Sequence, residues 1–161
     1  MQEKNIKEIV KKGDASALNE ALASNPLWSS FTDMNGRTLA HEAAEWGHSA
    51  CLDILKAAGA DLSPRDNMGQ TPLHRSLIRE RDSASQWLIN NGADINMKDQ
   101  QGVAPILLAA RFSPVVFDDL VQKGADVSVT CKMNMGVEEW NRMGEKENTV
   151  EPQAQKAIFK P

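Results

Sequence analysis

The sequence predicts an all-α fold, a solenoid of stacked helix-turn-helix units joined by β-turn or hairpin loops. Two series of residues support this prediction. The first is an aspartate followed three positions later by a glycine, and it recurs at a constant interval, at Asp33–Gly36, Asp66–Gly69 and Asp99–Gly102. The second is a set of glycines at Gly59, Gly92 and Gly124, whose first step equals that interval and whose second step is one position shorter. A fixed period of about 20 to 50 residues indicates a repeat architecture.

Composition and charge agree with one ordinary globular domain. The chain has 161 residues, of which 41% are hydrophobic and 25% charged, and its net charge is −4 with histidine neutral. Binding to the phosphates of a nucleic acid needs a basic surface, and this chain is acidic overall. We therefore predict no nucleic-acid partner. The chain has neither a signal-peptide stretch nor the roughly 20 apolar residues of a membrane helix. We therefore expect no membrane partner and a cytoplasmic location, in the producing cell or in a host cell.

The first segment, 1–32, is predicted to form a degenerate repeat that caps the N-terminal end of the stack. Its apolar residues fall into two groups with helical spacing, Ile6, Ile9 and Val10 and then Ala17, Leu18, Ala21 and Leu22. Gly13-Asp14 separates the groups, and Asn25-Pro26 ends the second. Terminal repeats need a polar outer face, which the Lys and Glu residues of this segment supply.

Three units follow, at 33–65, 66–98 and 99–130. Each is predicted to be a turn and two short helices, because the glycine of each DxxG segment readily adopts positive φ. Thr38 and Thr71 suit the N-cap of the first helix, and Pro72 and Pro105 suit its first position. Glycines of the second series are predicted to end the second helix. Such a helix pair cannot bury its apolar face alone, so stacking must supply the core.

A local motif accompanies the period. The second unit reads Thr71-Pro72-Leu73-His74, and the first reads Thr38-Leu39-Ala40-His41, Gly47-His48 and Gly59-Ala60-Asp61. On these residues the chain resembles the ankyrin-repeat family. The third unit departs from the family pattern, with Leu107 for the histidine and Ser113-Pro114 for Gly-His, and the second has Glu80-Arg81 for Gly-His. These departures predict irregular loops between the helices.

After Thr130 the pattern decays. Residues 131–136 are interpreted as one further turn and Val137 to Met143 as a short helix, so a C-terminal cap is predicted at 131–144. The remaining stretch, 145–161, is polar with two prolines, and two interpretations of it stand. It is either a disordered tail or a segment that docks on this protein or a partner through Ile158 and Phe159.

The sequence contains no motif of a catalytic or cofactor site. GxGxxG, GxxxxGKS/T, GxSxG and HExxH are all missing. Cys51 and Cys131 lie in different units and form no CxxC pair, which supports neither a disulfide framework nor a zinc site. The resemblance implies that His41 and His74 form hydrogen bonds within and between turns. We therefore predict that the protein is not an enzyme and has no catalytic residue, no metal site and no cofactor.

The resemblance also implies a concave groove, formed by the turn tips and the exposed faces of the first helices, where the family commonly binds proteins. Projecting the repeat onto this sequence predicts partner-binding residues in both regions. In and beside the turns they are Met34, Asn35, Arg37, Arg65, Met68, Gln70, Gln101 and Val103. On the first helices they are Glu45, Trp46, Ile78, Arg79, Arg111 and Phe112.

The aromatic residues of this set allow two interpretations. Trp46 and Phe112 either anchor a partner, since aromatic residues, methionine and arginine are enriched in interface cores, or tuck onto neighbouring units. Trp87 is predicted to pack in a second helix, and Trp28 and Trp140 are predicted to cover the two ends of the stack.

These observations favour a protein-protein interaction module that is monomeric before its partner binds. An adaptor, an inhibitor or immunity protein, and an effector delivered to a host cell all fit that description. A self-assembling scaffold and an accessory domain of an enzyme are the competing hypotheses. Fold alone identifies no partner.

Overall fold

A computed structural model describes residues 3–147, and these residues form nine α-helices and one 3-10 helix. In chain order they are α1 (Glu3–Lys12), α2 (Ala15–Ser24), the 3-10 helix (Pro26–Ser30), α3 (Leu39–Trp46), α4 (Ser49–Ala57), α5 (Pro72–Ile78), α6 (Asp82–Asn90), α7 (Pro105–Phe112), α8 (Pro114–Gln122) and α9 (Val137–Glu147). Most of the predicted tail, 148–161, lies outside the described residues, with Ile158 and Phe159.

The helices pack in two parallel rows. The inner row is α1, α3, α5, α7 and α9, and each of these helices contacts the next one in the row. The outer row is α2, α4, α6 and α8, and each outer helix packs against the inner helix that precedes it in the chain. The predicted all-α repeat fold is therefore confirmed. Within the described part of the chain, no helix is both long and apolar enough to span a bilayer.

The core runs between the rows and is continuous from one unit to the next. Leucines of the outer helices, such as Leu55, Leu88 and Leu120, are completely buried. Alanines such as Ala43 and Ala109 line the inner row, where small side chains let neighbouring helices approach closely. Burying one leucine stabilises the fold by roughly 1.5–3 kcal/mol.

Four turns connect the inner row along one edge, here called the turn edge: 33–37, 66–70, 99–103 and 131–135. In each turn the first backbone N–H donates to the carbonyl of the fifth residue, at 2.9 Å in the second turn, from Asp66 to Gln70. Successive turns are also bonded to each other, as Asn67 N–H donates to Asn35 O at 2.8 Å and Lys132 N–H donates to Gln101 O at 2.8 Å. The turn edge is thus a hydrogen-bonded row rather than a set of independent loops.

The segment that follows Thr130, predicted as a cap, has the geometry of another turn and inner helix. Asn134 has a positive φ of 56° at the position that Gly102 occupies in the preceding turn, where φ is 76°. A carboxylate oxygen of Glu139 accepts the Gly136 N–H at 3.0 Å, the same contact that the His41 ring makes with Thr38 N–H. Helix α9 continues the inner row to Glu147, beyond the predicted Met143.

Tryptophans pack at both ends of the stack and between the outer helices. Trp140 of α9 is completely buried, and Trp28 is half-buried with its ring centroid 5.7 Å from that of Phe31. Trp87 of α6 is half-buried, and its Nε1 donates to the carboxylate of Asp53 on α4 at 2.8 Å.

The loops between inner and outer helices differ from unit to unit. Gly47 ends α3 with a φ of 84°, whereas Glu80 adopts a φ of 56° at the equivalent position of the second unit. In the third unit Ser113 alone separates α7 from α8, and its hydroxyl caps Val116 N–H at 3.2 Å. This shorter loop accounts for the shorter second step of the glycine series.

Glu80 is a non-glycine residue whose backbone adopts a conformation that favours glycine. This gives a stability prediction. We expect Glu80→Gly to be about 1 kcal/mol more stable than Glu80→Ala, because only glycine relieves the clash of Cβ with the backbone. Urea unfolding followed by circular dichroism measures the difference. The alanine variant controls for loss of the charge, and equal stability of the two variants would contradict the strain at this position.

Candidate functional site

Two buried histidines link successive units. The Nδ1 atom of His41 accepts the Thr38 N–H at 3.1 Å, so Nε2 carries the proton and donates to Gln70 O at 3.0 Å. His74 repeats the arrangement with Thr71 N–H and Val103 O, at 3.2 and 3.0 Å. Burial lowers the pKa of both rings below the ordinary value and keeps them neutral. Both rings are fully engaged in the fold.

The remaining histidine and the cysteines also serve packing. His48 lies under Gly13, and its Nε2 lies 2.9 Å from Lys11 O, which ties the first repeat to the N-terminal segment. Cys51 and Cys131 are both buried, and burial raises the pKa of the Cys51 thiol. Among residues 3–147, no group of three or more His, Cys, Asp or Glu side chains is placed to hold a metal ion.

The inner row carries a buried ion cluster centred on Glu45. Its carboxylate is approached by Arg37 at 3.2 Å, Arg75 at 2.9 Å and Arg79 at 2.6 Å. Glu45 is only 7% exposed. One carboxylate therefore faces three guanidinium groups that come from the first turn, α5 and its C-terminal end.

A second group of charges joins this cluster to the N-terminal segment. Lys7 of α1 contacts Asp33 at 2.6 Å and Glu42 at 2.9 Å. Burial disfavours the charge on Lys7, but the hydrogen bonds to Asp33 and Glu42 outweigh it and raise its pKa. Burial likewise acts against ionised Asp33, and hydrogen bonds from Lys7 and from the Arg37 and Asn35 N–H groups outweigh it and lower its pKa.

Several predicted partner-binding residues are not exposed. Glu45, Gln70 and Val103 are buried, so the expectation that they are exposed is wrong. Glu45 is drawn in by its arginines, and Gln70 Oε1 accepts from Arg75 Nη1 at 3.1 Å. Val103 packs in the core, and its carbonyl accepts from His74.

Other predicted residues are half-buried, namely Arg37, Ile78, Arg111 and Phe112. Ile78 and Phe112 pack against the core. Of the two interpretations of Phe112, this agrees with packing onto neighbouring units. Arg111 lies over two rings, 4.9 Å from the Phe112 centroid and 5.9 Å from that of Trp140. Arg111 and Phe112 are only half-exposed because α9 packs against α7.

The exposed members of the predicted set lie on the turn edge and at the ends of α3 and α5. Met34 is 97% exposed, Met68 52% and Trp46 45%. The other exposed members are Asn35, Arg65, Arg79 and Gln101. Met133, 66% exposed at the tip of the fourth turn, is a further apolar residue of this edge that sequence reasoning missed. Its signal was the weak turn at 131–136, which carries Cys131 and Asn134 in place of aspartate and glycine.

Three exposed residues at the C-terminal ends of the neighbouring helices α3 and α5, Trp46, Arg79 and Arg81, are here called the Trp46 patch. Trp46 and Arg79 occupy equivalent positions of neighbouring units. The Arg81 Nε donates to Glu45 O at 3.4 Å, and its Cδ lies 3.1 Å from where a Cβ on Gly47 would stand. The two arginines are thus anchored on the residues immediately before and after the tryptophan. Arg81 was not among the predicted site residues, although its loop was predicted to be irregular.

Comparisons with known proteins agree with this architecture. A family model described as "Ankyrin repeats (3 copies)" matches residues 6–99. The chain is 34% identical over 111 residues, 68% of its length, to neurogenic locus notch homolog protein 1 of Homo sapiens. It is 30% identical over 131 residues, 79% of its length, to the Xenopus laevis protein of that name. It is also 31% identical over 115 residues, 70% of its length, to the neurogenic locus Notch protein of Drosophila melanogaster.

These relatives are far longer than the chain itself. The matched segments are only 4% of the human and Drosophila melanogaster proteins and 5% of the Xenopus laevis protein. The likeness therefore concerns a repeat segment and not the whole of those proteins.

The ion cluster gives a prediction that separates its structural role from partner binding. Glu45→Gln leaves three guanidinium groups beside a neutral side chain in a largely buried site, so we expect a loss of about 3 kcal/mol in unfolding free energy. Glu8→Gln is the matched control, because Glu8 forms an exposed pair with Lys11 at 3.3 Å. That control should change stability by less than about 0.5 kcal/mol. Equal effects in urea unfolding would contradict the structural role of Glu45.

Proposed function

Because this chain belongs to the ankyrin-repeat family, we propose that it binds a protein partner through the turn edge and the Trp46 patch, and that it catalyses no reaction. Ankyrin repeats are generally protein-protein interaction modules. The proposed contact residues are the exposed members of the predicted set together with two that sequence reasoning missed: Met34, Asn35, Trp46, Arg65, Met68, Arg79, Arg81, Gln101 and Met133.

The observation that carries the proposal is the exposure of large apolar side chains at the turn tips. Met34, Met68 and Met133 recur at the turn tips and are 97%, 52% and 66% exposed, and Trp46 is 45% exposed at the C-terminal end of α3. Methionine and tryptophan are enriched in interface cores, and methionine adapts its shape to a partner. Their apolar surface loses contact with water only when a partner covers it.

The backbone of the turn edge supports the proposal as well. Hydrogen bonds between successive tips, such as Gln100 N–H to Met68 O at 3.0 Å, hold the tips in a fixed row. A surface that is already ordered loses less conformational entropy when a partner binds.

The outer row has a different character. Its exposed side chains include the carboxylates of Asp53, Asp94, Asp118 and Asp126 on the outer helices and the loops that follow them. Val115 and Val121 of α8, Val127 of the loop that follows and Leu27 of the 3-10 helix are also exposed, and Val115 offers a control position for mutagenesis. Scattered single apolar residues of this kind are ordinary on a protein surface.

The biological role that we propose is that of an adaptor, an inhibitor or immunity protein, or an effector, acting in the cytoplasm of the producing cell or of a host cell. The two thiols, both unpaired, support a reducing compartment. We propose that the chain is monomeric before partner binding and that its units are 1–32, 33–65, 66–98, 99–130 and a cap that begins at 131.

The proposal predicts the effect of removing Trp46. We expect Trp46→Ala to weaken partner binding by about 2 kcal/mol, or roughly 30-fold in Kd, because a half-exposed tryptophan at an interface centre is a typical hot spot. The unfolding midpoint should stay close to that of the unchanged chain, because the indole is far from fully buried.

The experiment uses the immobilised chain to recover partners from the cells that produce it, followed by mass spectrometry and titration of the purified partner. Val115→Ala is the control, and it should bind like the unchanged chain. An isotherm that Trp46→Ala leaves unchanged would refute the proposed surface. Light scattering that shows the free chain in a defined oligomer would favour the self-assembling scaffold instead.

A further inference from the structure

We propose that the Trp46 patch recognises an acidic segment of the partner, in which a carboxylate side chain stands next to an apolar one. The inference deepens the proposed function and rests on it.

The placement is fixed by contacts to the backbone and side chains of α3. Arg79 directs Nε and Nη2 to one oxygen of Glu45, at 2.9 and 2.6 Å, while its side chain remains 44% exposed. Arg81 packs its stem over Gly47, so that an added Cβ there would make a tight contact of 3.1 Å with Arg81 Cδ. Because both arginines bond Glu45, the residue before Trp46, their side chains are held at the C-terminal end of α3 before any ligand arrives.

The N–H donors of Arg79 and Arg81 outnumber the acceptors around them. The guanidinium group offers N–H donors and no acceptor. Glu45 already faces three guanidinium groups, and within residues 3–147 Arg81 forms no ion pair at all. Arg81 therefore has no carboxylate partner among these residues, and Arg79 shares its partner Glu45 with two other arginines. A carboxylate from outside would satisfy them with short, charge-assisted bonds, and an arginine can hold it with two parallel bonds.

Two carboxylates neighbour Arg81 in the sequence, at Glu80 and Asp82, and neither makes an ion pair with Arg79 or Arg81 among the described residues. Glu80 points from a backbone with positive φ, and Asp82 is the first residue of α6, where the helix dipole favours a negative charge. Glu80 opposes an acidic ligand through its charge. Glu80→Gln should therefore tighten binding of such a ligand.

The indole explains why an apolar neighbour is required. Trp46 supplies the largest apolar surface of the patch, and its contact with an aliphatic or aromatic side chain gains energy that a carboxylate alone does not. A nucleic acid fits less well, because its affinity comes from many phosphate contacts along a basic stripe. The patch has only two exposed guanidinium groups, and the whole chain has a net charge of −4.

The test is a selection from a displayed library of random 12-residue peptides on the immobilised full chain. Binders to a Trp46→Ala, Arg81→Gln variant are removed first, so that the remaining peptides depend on the patch. We expect enrichment of Asp or Glu adjacent to Leu, Ile, Phe or Trp. Selected peptides are then synthesised and titrated against single variants, with a 12-nucleotide single-stranded RNA as competitor.

Arg81→Gln should weaken a selected peptide by about tenfold. Arg142→Gln is the matched control, since it removes the same charge from an arginine of α9 that is 65% exposed, lies outside the proposed contact set and pairs with Glu139 at 3.2 Å, and it should leave the Kd unchanged. Glu80→Gln should lower the Kd. Equal losses in Arg142→Gln and Arg81→Gln, displacement by the RNA, or a selection without acidic enrichment each overturn the proposal.

The outcomes separate this inference from the proposed function. Neutral or basic peptides that bind the unchanged chain and fail on Trp46→Ala would refute acidic recognition and leave the interaction surface in place. If the natural partner also binds Trp46→Ala normally, both proposals fail together.

Discussion

Shortness of the helices is the constraint on which the rest of the structure depends. No helix from Glu3 to Gln122 is longer than ten residues, a length at which an isolated helix is marginal in water. Each helix is stable only because its neighbours bury its apolar face. The helices of the inner and outer rows are therefore folded only when the units are stacked, and every unit must present a surface complementary to its neighbours.

Stacking also determines which polar groups are available for function. Each repeated histidine uses both ring nitrogens to join two turns, and Glu45 uses its carboxylate to bind arginines of its own and the next unit. These groups hold the stack together and have no capacity left for a ligand. The side chains that stacking does not use are the methionines of the turn tips and the Trp46 patch, and those are the side chains that we assign to partner binding.

The repeat itself was predictable from the sequence, because glycine, proline and histidine at fixed offsets report local backbone requirements that do not depend on the neighbouring unit. The exposure of individual side chains was not. Glu45 and Gln70 appear as free polar residues in the sequence, and the arginines that approach from the first turn and from α5 explain their burial. The last turn was obscured for a simpler reason, since Asn134 adopts the positive φ that glycine provides elsewhere. Arg81 was missed because the position of its side chain depends on Gly47, which has no side chain of its own.

The central claim, that partners bind the inner side and turn edge of the stack, is tested most directly by amide hydrogen exchange of the chain with and without its purified partner. We predict slower exchange on binding in the turns 33–37 and 66–70 and at the C-terminal end of α3, with no change in α4, α6 and α8. Protection confined to the outer helices would contradict the claim and would place the interface on the opposite side of the stack.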